Sequence, residues 1–318
     1  MCAALRNVLA GWDVNASPPG GGDFMRDAWR CRPVLLPALL SQSVIGYFTM
    51  ERFREWCSTH VRARVYARTE STAPGTATAH LINSAADGLV LLQHFAERAE
   101  PLTLLLNGVD EVDSRVRELQ DSFGIPYDWR RGDTVATLSM TGAGIGYHAG
   151  REDGFVVQTK GRREWAVWDQ SVLTDEYRQS LCGSMRDVPP DQRSSAEPLL
   201  RCELAPGDAL YIPALFPHEG VTLDTSISLS VAWQGIAASD VWMALRDSSR
   251  QETVTPRSAL CRLLPDPPPD KPAASFLHSA IELDFQSLEE GDRPPFQRVQ
   301  AFVDSLLEHR LRDYKFKH

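Results

Sequence analysis

The chain has 318 residues, 43% of them hydrophobic and 24% charged, with a formal net charge of -9. That length accommodates one large β domain plus a smaller appendage and does not require three domains. The acidity argues against generic nucleic-acid binding, which uses a basic face, and no run of about 18 apolar residues suggests a membrane span.

The first ten residues are mildly apolar but run into Gly11-Trp12-Asp13 without a long apolar region, so no secretory signal is expected. Cys2, Cys31, Cys57, Cys182, Cys202 and Cys261 form no Cys-x-x-Cys pair. Such scatter suggests neither a zinc site nor a disulfide framework, and reduced thiols in a cytoplasm are the expectation. Residues 1–28, with Pro18-Pro19-Gly20-Gly21-Gly22, read as a flexible lead-in.

Helices are expected over 48–60, where Phe48, Met50, Phe53 and Trp56 recur at helical spacing, over 85–99, and over 110–123 with Gly124 as the stop. Leu102 to Leu106 is a short apolar run, read as a buried strand. After Pro126 the pattern changes. Short alternating strands follow at 134–140, 155–158, 165–168, 199–204, 208–212 and 227–233, with Gly and Pro between them, as in a sandwich or barrel.

The polar stretch 171–198 reads as a loop with some helix. Beyond Gly235 the chain turns helical at 236–250, passes a proline-rich linker at 265–272, and ends in an amphipathic helix at 296–311. Val299, Phe302, Val303, Leu306 and Leu307 share one face of that helix, which must pack on the barrel or on a second subunit. The expected organisation is a β domain over 29–235 and a helical region over 236–318 that supports a homodimer.

Two segments stand out. Gly144-Ile145-Gly146-Tyr147-His148-Ala149-Gly150 ends an alternating strand. Pro206-Gly207-Asp208 opens a second block that runs through Tyr211-Ile212-Pro213 to Phe216-Pro217-His218-Glu219-Gly220. A lone strand-end histidine is more often a hydrogen-bonded structural residue than a ligand. Two of them facing each other across a small barrel can instead hold non-haem Fe(II), for which imidazole is the usual ligand. Histidines 60, 80, 94, 278, 309 and 318 have no comparable setting and read as structural or surface groups.

In the order and spacing of these blocks the chain resembles the cupin-type JmjC oxygenases, and among them the bacterial ribosomal-protein arginyl hydroxylases. Matching residues are Leu106-Asn107-Gly108, Asp128-Trp129-Arg130, the His148 and His218 blocks, Phe155-Val156-Val157-Gln158 and Gly161-Arg162-Arg163-Glu164-Trp165, so the likeness covers roughly residues 29 to 235. It implies a mainly β fold, a double-stranded β-helix of cupin/JmjC jelly-roll type, with flanking helices and a helical C-terminal region. It also implies Fe(II), 2-oxoglutarate and O2 as cofactors.

By the same resemblance His148 and His218 are metal ligands, and Arg163 binds the distal carboxylate of 2-oxoglutarate through its bidentate fork. Arg162 is the alternative, but neighbouring strand residues face opposite sides and only one can face inward. Ser228 matches a position that often carries a co-substrate-binding Asn. A hydroxyl there donates only one bond. The family's substrates are protein or peptide side chains, so the expected partner is an amino-acid, peptide or protein substrate, with no membrane. Family members of this kind carry a winged-helix domain after dimerisation helices, and the roughly 80 residues beyond Gly235 are expected to hold the helices alone.

One departure bears on the chemistry. The family motif is His-x-Asp, and here its third residue is Gly150. Loss of that carboxylate vacates one position beside the iron and removes a negative charge from a buried cation site, which something anionic should replace. Chloride fits, and the 2-oxoglutarate-dependent halogenases carry Gly or Ala at this place. The primary expectation is therefore a halogenase acting on an unactivated C–H bond, with Gly150 as the residue that admits chloride. A hydroxylase with water or Asp153 completing the site is the first alternative. A catalytically inactive binding protein is the second, and Arg163 speaks against it, because a protein that only recognises a partner needs no co-substrate anchor.

Overall fold

The computed structural model describes residues 24–59, 62–67, 78–82, 84–97, 101–183, 194–245, 260–268, 270–288, 290 and 293–308. Most of the expected lead-in, His60, His309 and His318 lie outside the described residues, whereas Phe24–Asp27 is a short helix.

The strands are β1 (Val34–Leu36), β2 (Arg62–Ala67), β3 (Thr78–Ile82), β4 (Leu102–Asn107), β5 (Arg131–Ser139), β6 (Glu152–Lys160), β7 (Arg163–Val167), β8 (Leu200–Leu204), β9 (Ala209–Ile212), β10 (His218–Thr222) and β11 (Ser226–Gln234). Among the described residues they build an eight-stranded major sheet in the order β1-β9-β6-β11-β5-β4-β2-β3 and a three-stranded minor sheet β10-β7-β8. Every pairing is antiparallel. From β6 to β11 the chain passes repeatedly between the two sheets, which is the winding of a double-stranded β-helix.

Alternation decides which face is which. On β11, Ile227, Leu229, Val231 and Trp233 join the core beneath the helices Met50–Ser58, Ala85–Glu97 and Ser114–Ser122. The opposite face carries Ser230, Ala232 and Gln234, which line the cavity between the sheets. Each large apolar side chain on the helix side, such as Phe155 or Trp233, contributes on the order of 2 kcal/mol by leaving water. A second apolar layer, with Val156, Val167, Leu204, Leu210, Ile212 and Phe216, fills the closed part between the sheets and leaves the rest of the interior open.

The expected helix at 110–123 is two helices, Val109–Val112 and Ser114–Ser122. Asp113 breaks it by capping the second through the Arg115 amide while accepting from the Trp56 indole and the Tyr47 hydroxyl. Residues 171–198 contain a short 3-10 turn and the helix Asp175–Gly183, and 184–193 lie outside the described residues.

Beyond the barrel come the helices Ala238–Leu245, Ala273–Phe285 and Phe296–Glu308. The apolar face of the last one is buried against Val241, Trp242, Leu277, Ile281, Phe285 and the barrel residue Trp129. That face is satisfied within the chain and does not require a second subunit. The proline-rich stretch does not behave as a loose linker either, because Asp266 is buried and bound by Arg130, Arg30 and Trp29. Among the described residues no helix is long and apolar enough to cross a membrane.

Candidate metal and co-substrate site

The loop between β5 and β6 turns at Gly146, whose φ of 88° is open to glycine at little cost, and delivers His148 opposite His218 at the start of β10. The two residues exchange backbone hydrogen bonds, His148 N–H to His218 O at 3.0 Å and the reverse at 2.8 Å. Their ring centroids are 4.3 Å apart. Each Nδ1 lies against a carbonyl of its own loop, Gly146 O at 3.0 Å and Phe216 O at 2.8 Å. A proton on Nδ1 satisfies both carbonyls and makes Nε2 the lone-pair nitrogen in each ring, the form that binds a metal.

Burial pushes the pKa of His218 down to about 3, with the charges of His148 and Arg163 adding to the shift. The imidazole is therefore neutral at pH 7, as ligation demands. Leu215, two residues before Pro217, has a left-handed backbone (φ 68°), and its N–H donates to Gly150 O at 2.8 Å. This local strain, about 1 kcal/mol, is held by the packing around the site.

Arg163 leaves β7 into the same cavity and is 3% exposed. Its Nη2 makes only a long contact to Gly220 O, 3.4 Å, and its Nε is buried without a partner. Among the described residues no carboxylate pairs with it, and the guanidinium lies over the Trp165 ring at 5.0 Å. Burial alone lowers its pKa to about 10, so the group stays charged at pH 7. A buried cation without an anion is costly, and a carboxylate ligand would relieve it. Arg162 faces out, paired with Asp224 and Glu203.

One glycine makes room for this arginine, and a second makes room for that glycine's carbonyl. A Cβ on Gly220 would stand 2.8 Å from Trp165 and 2.9 Å from Arg163 Nε, and one on Gly144 would meet Gly220 O at 2.2 Å. Trp165 Nε1 and Thr222 Oγ1 are also buried without hydrogen-bond partners. Thr222 is the cross-strand neighbour of Arg163, and Trp165 lies two residues on along the same face. The sequence offers a signal for Trp165 in that spacing; Thr222 becomes visible only once β7 and β10 are paired.

Gly150 lines the cavity beside the histidines, and its φ is not in the left-handed region. Glycine is thus not demanded there by the backbone, and what it provides is space. Asp153 does not fill that space. It shares the helix-facing side of β6 with Phe155 and is fixed by Arg130 Nη2 at 2.6 Å, the Tyr211 hydroxyl at 3.0 Å and the Ala214 amide at 3.0 Å. The alternative in which Asp153 completes the metal site is therefore corrected, since its lone pairs are taken on the far side of the strand. Among the described residues no cluster of three His, Cys, Asp or Glu side chains could hold a metal. Ser228 is buried between Thr137 and Gln158 at a bulge in β11, and the wall itself is lined by Ser230, the next residue on that face.

The whole cavity encloses about 850 Å³. Its deep wall is the minor sheet with His218, Arg163 and Trp165, joined by His148. Its outer wall is the major sheet. Of the other histidines, His94 is exposed and His278 is buried near Glu282 and against Phe296.

Residues 118–241 match the family model described as JmjC domain. A ribosomal protein uL16 3-hydroxylase from Escherichia coli is 32% identical over 134 residues, 42% of this chain and 33% of the relative. A probable ribosomal oxygenase from Haemophilus influenzae is 24% identical over 214 residues, 65% of this chain and 48% of the relative. The matched regions thus span less than half the length of these curated relatives. The solved structure of a ribosomal oxygenase from Escherichia coli in complex with cobalt and 2-oxoglutarate superposes with a TM-score of 0.54 at 19% identity, covering 91% of this chain and 70% of that one. At that identity the likeness is one of fold.

Proposed function

We propose that this chain, which carries a JmjC domain of the ribosomal-oxygenase type, is an Fe(II)- and 2-oxoglutarate-dependent oxygenase that hydroxylates a side chain of a peptide or protein. The observation that carries the reading is Arg163, a buried cation with no carboxylate partner among the described residues, in one cavity with two histidines whose Nδ1 atoms each face a loop carbonyl. His148 and His218 would hold the metal through Nε2, and Arg163 would take the distal carboxylate of 2-oxoglutarate, with Trp165 Nε1 and Thr222 Oγ1 as further polar partners. Ser228, buried between Thr137 and Gln158, does not line the cavity, so the β11 hydroxyl that would face the co-substrate is that of Ser230. Bound Fe(II) with 2-oxoglutarate and O2 supplies the oxidising power for C–H cleavage, with succinate and CO2 as co-products. The chain's own residues fix the position of the co-substrate, exclude water behind Trp165, and leave the Gly150 side open.

Hydroxylation stands ahead of halogenation because the relatives bear the names of hydroxylases and oxygenases. Halogenation remains the second reading on one observation, the space that Gly150 gives where a carboxylate would carry negative charge. Water fills that space in the first reading and chloride in the second.

Product mass separates them. With Fe(II), 2-oxoglutarate, O2 and candidate peptides at varied chloride, a gain of one oxygen independent of chloride is the expected result. A chlorine isotope pattern transfers the assignment to halogenation. Failure to consume 2-oxoglutarate with any peptide overturns both and leaves a binding protein. Gly150→Asp sharpens the test: it keeps or raises hydroxylation, whereas it abolishes halogenation by occupying the halide's place.

A further inference from the structure

The cavity opens along the major sheet, and its lip carries a row of polar side chains, half-buried at Glu152 on β6, Gln234 on β11, Asp133 on β5 and Asn107 on β4, and exposed at Arg62 and Arg64 on β2. The register aligns them. Glu152 is paired with Gln234, and Asn107 with Arg62. All six face the cavity, so they form a continuous polar strip across five neighbouring strands.

Charge along this strip is uneven. Arg62 and Asp133 neutralise each other at 3.0 Å. Glu152 makes no close ion pair among the described residues: the guanidinium beside it, Arg151, is bound to Asp240 at 2.6 Å and acts on Glu152 only through space. Desolvation raises the pKa of the Glu152 carboxyl above its ordinary value, opposed in part by backbone hydrogen bonds and Arg151 and aided by Asp133. At the far end Arg64 is exposed and makes no ion pair among the described residues. The strip is therefore negative at β6 and positive at β2, with a neutral middle.

Distance decides what can satisfy both ends. Four inter-strand steps separate β6 from β2, about 19 Å at the usual spacing. The register adds an offset, since Arg64 traces through Leu105, Thr137 and Ser228 to Gln158, well along β6 from Glu152. The diagonal is roughly 28 Å between backbones, and the inward reach of the side chains leaves a span of about five to eight extended residues. A free amino acid cannot bridge it. An extended peptide can, and the amides of Gln234 and Asn107 suit its backbone.

We infer that this lip is a peptide-binding strip of fixed charge polarity, taking a basic group of the substrate at Glu152 and an acidic group five to eight residues away at Arg64. The inference deepens the oxygenase reading, since it names the substrate's form, and it rests on that reading for the link to catalysis. The strip and the chemistry are nevertheless separable by experiment.

The probes are fluorescein-labelled Gly/Ser peptides of about twelve residues with one Lys and one Glu, separated by about two or about six positions, in both orders. Binding is read by fluorescence anisotropy on the full chain, and 2-oxoglutarate binding is titrated in the same samples. The widely spaced pair in one of its two orders binds about fivefold tighter than the close pair. Arg64→Glu removes that preference and restores it for a peptide whose Glu is replaced by Lys; Glu152→Lys does the same for a peptide whose Lys is replaced by Glu. The rescue by a charge-reversed peptide distinguishes recognition from misfolding. Equal affinity for all peptides, no binding by any of them, or charge reversals without effect overturns the strip. Peptide binding with the expected polarity but without 2-oxoglutarate binding keeps the strip and removes the oxygenase; the converse keeps the oxygenase and removes the strip.

Discussion

Two buried arginines lie on opposite sides of the same barrel wall, and they differ in company. Arg130, 1% exposed, is held by Asp153, by Asp266 and by the carbonyl of Gln234, and the two carboxylates hold its pKa above the ordinary arginine value despite burial. Arg163 is equally buried, has no carboxylate, and is pushed the other way. The first is architecture: it ties the barrel to the segment after the barrel through Asp266. The second is the group we propose binds the co-substrate carboxylate. A buried charge that the protein matches itself serves the fold, and one that it leaves unmatched points to a ligand.

The comparison breaks most visibly at Arg130. Arg130→Ala takes the close cation from Asp153 and Asp266 and leaves them only the longer contacts to Arg30, at 3.7 and 3.4 Å, so stability to urea is expected to fall by about 3 kcal/mol. Arg163→Leu should behave in the opposite sense. It removes an uncompensated charge, so unfolding stays at or above the wild-type midpoint while 2-oxoglutarate affinity drops roughly 30-fold or more, measured by calorimetry with Mn(II). If Arg163→Leu unfolds the protein instead, the arginine is structural and the distinction is lost.

A subtler displacement comes from Gly220→Ala. The new methyl stands against Arg163 and Trp165, so the guanidinium must shift, and 2-oxoglutarate binding should weaken by about tenfold with metal binding retained. The smallest effect concerns pH. The folded pKa of His218, about 3, lies below the usual 6.5, so the unfolded chain binds a proton that the folded one refuses. Its contribution is fully present above about pH 6.5 and is lost as pH falls toward 3. Metal-free wild type should therefore lose more stability between pH 7 and pH 5 than His218→Gln, as read from thermal midpoints of both.

Much of the barrel was legible because its strands alternate large apolar and polar residues, as β11 does. β2 was missed although Arg62-Ala63-Arg64-Val65-Tyr66 alternates, because its inward member Ala63 is too small to register as apolar patterning. β10 was missed because His-Glu-Gly-Val-Thr reads as loop, and only pairing with β7 makes it a strand. At the site, the order of the His148, Arg163 and His218 blocks was enough to single out those residues. The role of Asp153 was not readable, since its partner Arg130 is shared with Asp266 in a proline-rich stretch that sequence alone presents as linker. The break at Asp113 has the same origin, because Trp56 and Tyr47 reach it from an earlier helix.

The two sheets carry different duties. His218, Arg163, Trp165 and Thr222 belong to the three minor strands, whereas the lip from Glu152 to Arg64 belongs to the major ones. On the proposed assignment, a library confined to the lip positions of β2, β4, β5 and β11 would retarget the molecule to new sequences without touching His218, Arg163, Trp165 or Thr222. The same assignment makes the lip a specificity cassette exchangeable apart from the minor-sheet half, with its β6 end on the strand that follows Gly150.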